Sequence, residues 1–146
     1  MHAVLQAMPL VPPMRTYRQT SDFGERRDPI TGRRALHTGL DFGGPAGARV
    51  LATAPGRVVS AGRAGAYGIM VEVDHGMGIR TRYGHLREAL VKPGDRLALH
   101  DPVGVMGSTG RSTGEHLHYE VRVDGAALDP AQFLEAGRSL KHVFKG

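Results

Sequence analysis

A chain of 146 residues is long enough for one compact domain with a core of its own and too short for two. It has no cysteine, which excludes disulfides and thiolate metal sites, and no apolar run approaches the length of a membrane span. The formal charge of +5 draws the chain toward polyanions such as bacterial cell wall or anionic lipid; scattered basic residues with no interleaved aromatics and no helix-turn-helix pattern exclude a nucleic-acid module.

Sparse aromatics and 21 glycines spread along the chain favour short strands joined by tight turns over a helical bundle. The opening MHAVLQAMPLVPP lacks a basic n-region, and Pro12-Pro13 cut it short of a signal-peptide core. Either the protein stays in the cytoplasm or Met1 is not its natural start. Residues 1–20 carry few periodic signals and read as an extended surface arm, which would block a groove only if it folded into one. Residues 21–137 read as the domain proper, and 138–146 as a basic tail. Ser21 to Arg34, dense in charge and turn formers, is a long irregular loop of the kind that usually carries function.

That loop delivers His37-Thr38-Gly39-Leu40-Asp41-Phe42-Gly43-Gly44. Its glycines argue against helix, which places His37 at the loop's end and Asp41 on a strand. From Arg49 onward the pattern is β throughout. Val50 to Ala52 and Arg57 to Ser60 flank a reversal at Ala54-Pro55-Gly56. Ile69 to Val73 and Ile79 to Tyr83 form a hairpin turned at Asp74 to Gly78, with His75 solvent-facing or locally bonded. The returning strand ends in Tyr83-Gly84-His85-Leu86. His85 shares a strand face with Tyr83 and Thr81, and Gly84 invites close approach by a backbone or a ligand. Arg87 to Ala89 reads as a helical turn or loop. His100 lies in a turn and reads as structural. Ser108 to Gly114 lacks the lysine, the glycine spacing and the following helix of a phosphate loop, and reads as a small-residue loop at a groove mouth.

The decisive strand is Gly114-Glu115-His116-Leu117-His118-Tyr119-Glu120-Val121. Alternation puts His116, His118 and Glu120 on one face and Leu117, Tyr119 and Val121 on the other. A short helix from Asp129 closes the domain, with Pro130 at its first position and Gly137 at its end. Three nitrogen or oxygen donors plus one open position suit a catalytic zinc, and His37, Asp41 and one histidine of the last strand can supply them. Two imidazoles among three donors favour zinc over calcium or magnesium. His85 and the strand's other histidine would then stand near the open position as proton carriers.

The ordered blocks Ser21-Asp22-Phe23-Gly24-Glu25-Arg26, Pro29-Ile30-Thr31-Gly32, His37-Thr38-Gly39-Leu40-Asp41, Tyr83-Gly84-His85-Leu86, Gly107 to Gly114, His116-Leu117-His118-Tyr119-Glu120 and Leu128-Asp129-Pro130 resemble the lysostaphin-type (LytM-type) zinc peptidoglycan endopeptidases. The resemblance spans about residues 20 to 135. It implies two antiparallel β-sheets forming a groove, a duplicated-hybrid-motif-like sandwich with long loops, and one Zn2+ per chain. It also implies hydrolysis of stem or crossbridge peptide bonds of peptidoglycan. By the family pattern His37, Asp41 and His118 bind the metal while His85 and His116 flank the water. A D,D-endopeptidase is the preferred reading, with a glycyl-glycine endopeptidase or a non-catalytic activator of other wall hydrolases as alternatives. A lipoyl- or biotinyl-type carrier is set aside, because the candidate hairpin tip Asp74 to Gly78 carries no lysine. Many relatives carry further N-terminal domains or a signal segment. The resemblance therefore implies a catalytic domain of a longer periplasmic or extracellular envelope protein, with room for a regulatory domain or protein beyond this chain.

Overall fold

The computed structural model describes residues 2–145 apart from 28, 29, 111 and 113. Asp28 and Pro29 of the first long loop, and Arg111 and Thr113 of the small-residue loop, thus lie outside the described residues. After α1 (His2–Ala7) come β1 (Arg18–Ser21), β2 (Gly24–Arg27), β3 (Arg34–His37), β4 (Leu40–Gly43), β5 (Arg49–Leu51) and β6 (Gly56–Arg63). A 3-10 turn at Gly65–Tyr67 leads into β7 (Ile69–Gly76) and β8 (Ile79–Ala89). Next are β9 (Arg96–Leu97), β10 (Pro102–Met106), β11 (Leu117–Val123) and β12 (Ala126–Leu128), and α2 (Pro130–Lys145) ends the chain.

Ten of the strands form one antiparallel sheet in the order β1-β4-β11-β8-β7-β6-β9, with β10 bridging β8 to β5 and β12 on β11. The hairpin β2–β3 is a second, two-stranded sheet. This is the expected architecture: mostly β, antiparallel, grooved, with one helix at the C-terminal end. The decisive strand β11 lies between β4 and β8, so both its edges are paired, and its apolar face packs into the core. Leu117, Tyr119 and Val121 are fully buried, packed with Leu40, Phe42, Val71, Val73, Tyr83, Leu86 and Met106. Burying a side chain of this size stabilises the fold by about 1.5–3 kcal/mol. The core's polar atoms are paired: Tyr83 and Tyr119 both place their hydroxyls on Thr53 Oγ1, at 3.1 and 2.8 Å.

Local readings changed where long-range contacts intervened. Arg87 to Ala89 stays in strand because β10 pairs with the far end of β8, Val105 opposite Glu88. The reversal at Ala54 to Gly56 is a corner and not a hairpin: β5 pairs with β10, β6 with β7 and β9. The segment read as a surface arm is built into the domain. Met14 is in the core, the Pro13 carbonyl accepts from Leu51 N–H at 2.7 Å, and Arg18–Ser21 pairs with β4. α2 passes through Gly137 instead of stopping there. A Cβ at Gly137 would overlap the Leu10 carbonyl, so this glycine serves close packing of the first segment on the helix and not helix termination. Gly137→Ala should therefore lower the calorimetric unfolding midpoint, even though alanine favours helix over glycine by ~1 kcal/mol. A raised midpoint would mean that the first segment yields freely.

His75 is locally bonded, with Nδ1 donating to the Pro55 carbonyl and Nε2 on Thr81 Oγ1, both at 2.7 Å. Burial pushes its pKa below the usual 6.5, against the pull of that carbonyl and of Asp74. In acid the unfolded chain therefore takes up this proton before the folded one, and stability falls as pH drops below 6.5. The difference in unfolding midpoint between wild type and His75→Gln should shrink as the pH is taken from 7 to 5. An unchanged difference would show that His75 contributes nothing to acid sensitivity.

Candidate active site

β4 and β11 run antiparallel in a register that puts Asp41 directly opposite His118. The bend at Thr38-Gly39 joins β3, which pairs with β2 in the second sheet, to β4, and a Cβ on Gly39 would overlap the Tyr119 carbonyl. Glycine there lets the turn close down on β11 and bring His37 within reach. His37 Nε2 lies 3.3 Å from Asp41 Oδ2, and His118 Nδ1 lies 3.0 Å from Asp41 Oδ1. One donor atom from each of the three buried side chains falls within 4.8 Å of the others, a spacing that can hold a metal ion.

His85 reaches the same place by an irregularity. Between Ile69↔Leu86 and Val71↔Tyr83, the single β7 residue Met70 faces two β8 residues, Gly84 and His85. His85 there adopts a left-handed φ of 60°. Such a bulge re-aims a side chain, and a non-glycine residue holds that conformation only where its surroundings enforce it. The expected shared face with Tyr83 and Thr81 is accordingly not kept. Those two point into the core, fully buried, while His85 turns to the groove. At the neighbouring Gly84 a Cβ would press on the Tyr67 ring at 3.2 Å, so glycine there lets Tyr67 sit close against β8. His116 precedes β11, held by a bridge to Gly107. Its ring centroid is 4.9 Å from that of His85, and its Nε2 is 3.9 Å from Asp41 Oδ1.

Hydrogen bonds select the nitrogen that each ring presents. His37 Nδ1 donates to the Asp22 carbonyl at 2.6 Å, His85 Nδ1 to that of Thr109 at 2.7 Å and His116 Nδ1 to that of Gly114 at 3.0 Å, which leaves Nε2 of each facing the site. His118 is reversed: Nε2 donates to Glu120 Oε2 at 2.7 Å and Nδ1 faces Asp41.

The electrostatics suit a cation. Burial alone would raise the pKa of Asp41, but hydrogen bonds from His118 and His37 outweigh it and hold the carboxyl well below the usual carboxylate range. Burial alone would lower His118; Asp41 and Glu120 prevail and raise it to about 9. Glu120, likewise opposed by burial, is brought to about 2 chiefly by His118 and Thr38. His85 moves the other way, its pKa lowered by burial and by the neighbouring His116 and His118, against the Thr109 carbonyl.

A cavity of about 660 Å³ opens over these groups. Ile30, Leu36, Ala66 and Tyr67 give it apolar walls, and Ser112 of the small-residue loop and Glu115 just after that loop also line it. Thr20 and Ser21 line it, but no described residue before them does, so the N-terminal segment leaves it open. All five residues singled out in the sequence meet here. Residue patterning gave Tyr67, Thr38 and Thr109 no role, because each acts through contacts to distant segments. Glu120 carried a signal, its place on the histidine face of β11, that went unused.

The protein-family model for Peptidase family M23 matches residues 35–130. The chain is 41% identical over 120 residues to the DD-carboxypeptidase/endopeptidase Mpg of Neisseria meningitidis, covering 82% of this chain and 28% of that protein. It is 40% identical over 114 residues to the peptidoglycan DD-endopeptidase ShyA of Vibrio cholerae, covering 77% and 26%. Among solved structures, a zinc-containing peptidase from Vibrio cholerae superposes with a TM-score of 0.77 at 36% identity, over 84% of this chain and 39% of the other. The chain thus spans little more than a quarter of the length of the curated relatives it matches. With the family model covering most of its length, this chain belongs to Peptidase family M23, the LytM-type family that its motifs resemble.

Proposed function

We propose that the chain is a zinc-dependent endopeptidase domain that hydrolyses peptide crosslinks of bacterial peptidoglycan as a D,D-endopeptidase. The carrying observation is the meeting of three buried donors with two further imidazoles, His85 and His116, whose Nε2 atoms face the same cavity. The names of the relatives, DD-endopeptidases and a zinc-containing peptidase, support the reaction and the metal. His37 through Nε2, Asp41 through its carboxylate and His118 through Nδ1 would hold the ion, and a set of two imidazoles and one carboxylate fits zinc. When bound, zinc supplies Lewis-acid polarisation of the scissile carbonyl and a nucleophile at neutral pH.

The chain's own groups do the rest. His85, kept neutral by burial, accepts a proton from the attacking water at Nε2. His116, on the other side of the open position, stabilises the developing oxyanion as an imidazolium, donating through Nε2 while Nδ1 stays on the Gly114 carbonyl, and the proton taken up by His85 passes to the leaving amine. Ile30, Leu36 and Tyr67 hold the substrate peptide against the wall. These groups all fall within residues 21–137, which we assign as the catalytic unit, with residues 1–20 bracing it through Met14 and the Leu10–Gly137 contact and 138–146 as its C-terminal tail. No described helix is long and apolar enough to cross a membrane. The substrate puts the site of action in the cell envelope, periplasmic or extracellular, under control of any regulatory domain or protein beyond this chain.

A zymogram on purified peptidoglycan tests this reading. Clearing should be abolished by a chelator and restored by zinc, and mass spectrometry of fragments from defined muropeptides should show cleavage after D-alanine. Cleavage confined to glycine bridges would replace the bond assignment. Failure to clear wall with zinc bound would favour a non-catalytic activator.

A further inference from the structure

We infer that Glu120 is a positioning residue for the metal centre: one of its carboxylate oxygens fixes the tautomer of His118 and at the same time ties the turn bearing His37 and Asp41 to β11. The inference rests on the zinc-site reading above and adds to it a residue outside the donor set. Glu120 is wholly excluded from solvent, at 0% exposure, and a buried carboxylate persists only where donors replace its lost water. They do so on every side. Oε2 accepts from His118 Nε2 at 2.7 Å and Thr38 Oγ1 at 2.5 Å; Oε1 accepts from Arg122 Nε at 2.9 Å and Nη2 at 2.8 Å, with Arg82 Nη1 at 3.7 Å; Tyr67 Oη straddles the two, at 2.9 Å from Oε2 and 3.1 Å from Oε1.

The division between the two oxygens matters. Oε1 answers the arginines, whereas Oε2 answers the ring of His118 and the hydroxyl of Thr38, which lies between His37 and Asp41 in the chain. A proton held on Nε2 leaves the Nδ1 lone pair as the only one His118 can offer, on the side where Asp41 and His37 converge. Without Glu120, either nitrogen can carry the proton, and the turn at Thr38 loses its anchor across 82 residues of sequence.

A purely structural role, neutralising Arg82 and Arg122, makes a different prediction. It needs the negative charge, whereas the tautomer needs only an acceptor oxygen. Zinc affinity of the purified chain, read by competition with a chromophoric chelator, should fall about 10- to 100-fold in Glu120→Ala, the usual loss when such an outer partner is removed. Glu120→Gln, whose amide oxygen still accepts from Nε2–H, should recover most of it, and Thr38→Val should fall in between. Ring 15N spectra of zinc-loaded wild type, which need no variant to fold, should show His118 protonated at Nε2 and metallated at Nδ1. The reverse assignment overturns the inference. So does Glu120→Ala binding zinc within about twofold of wild type, or Glu120→Gln as weak as Glu120→Ala. A wild-type chain that takes up no zinc overturns the metal site itself, and the role of Glu120 with it.

Discussion

His118→Ala should leave the purified chain without stoichiometric zinc and without wall hydrolysis. A catalytic zinc keeps three protein donors and one open position; with one donor gone, His37 and Asp41 remain, and a hydrated ion in water competes well against two ligands. The loss is sharpened by what the ring otherwise holds. Its Nδ1 faces Asp41 Oδ1 and its Nε2 faces Glu120, so alanine strips a partner from two buried carboxylates at once. Asp41 keeps His37 and Glu120 keeps Thr38, Tyr67 and Arg122, but each loses one charge-assisted hydrogen bond, worth about 1.5–3 kcal/mol. The unfolding midpoint of the metal-free variant should therefore drop as well, which makes thermal scanning a necessary companion to metal analysis. Zinc at full occupancy in folded His118→Ala would refute the donor assignment.

His85→Ala and His116→Ala should behave in the opposite way, keeping zinc at wild-type stoichiometry and losing about 10²- to 10⁴-fold in kcat, the usual worth of a positioned proton carrier. Neither ring belongs to the converging donor set, and each is fastened through Nδ1 to a backbone carbonyl that survives the substitution. His85→Ala also vacates a left-handed backbone position, where alanine is no better accommodated than histidine, so no gain in stability offsets the loss. Metal analysis together with turnover on a defined crosslinked muropeptide separates the two classes of residue. A His85 or His116 variant that lost its metal would move that histidine into the donor set; one that turned over at the wild-type rate would remove it from the chemistry.

The five residues could be picked out before any tertiary structure because period-two alternation and glycine placement are local properties. His118 and Glu120 share a face of β11, and His116 just before it falls on the same side, because side chains alternate along extended chain; Leu117, Tyr119 and Val121 go into the core for the same reason. His85 is the instructive failure. Strict alternation sends it inward with Thr81 and Tyr83, and only the bulge opposite Met70 turns it outward. That bulge depends on pairing with β7, which the residues around His85 do not encode by themselves. Gly137 misled for a related reason. Taken locally it reads as a helix stop, yet its lack of a side chain answers the Leu10 backbone, more than a hundred residues earlier.

What the sequence by itself determined is the stock of donors, the absence of thiolate, the antiparallel β character and the ordered motifs of the family, all of which follow from residue type and short-range spacing. What only the tertiary structure decided is which nitrogen each imidazole turns to the centre and which segments brace it. Those choices are made by the Asp22 and Thr109 carbonyls, the Glu120 carboxylate and a core that takes in Met14. A ring's free lone pair is whatever its hydrogen bonds leave over, and most of those bonds come from parts of the chain that meet only after folding.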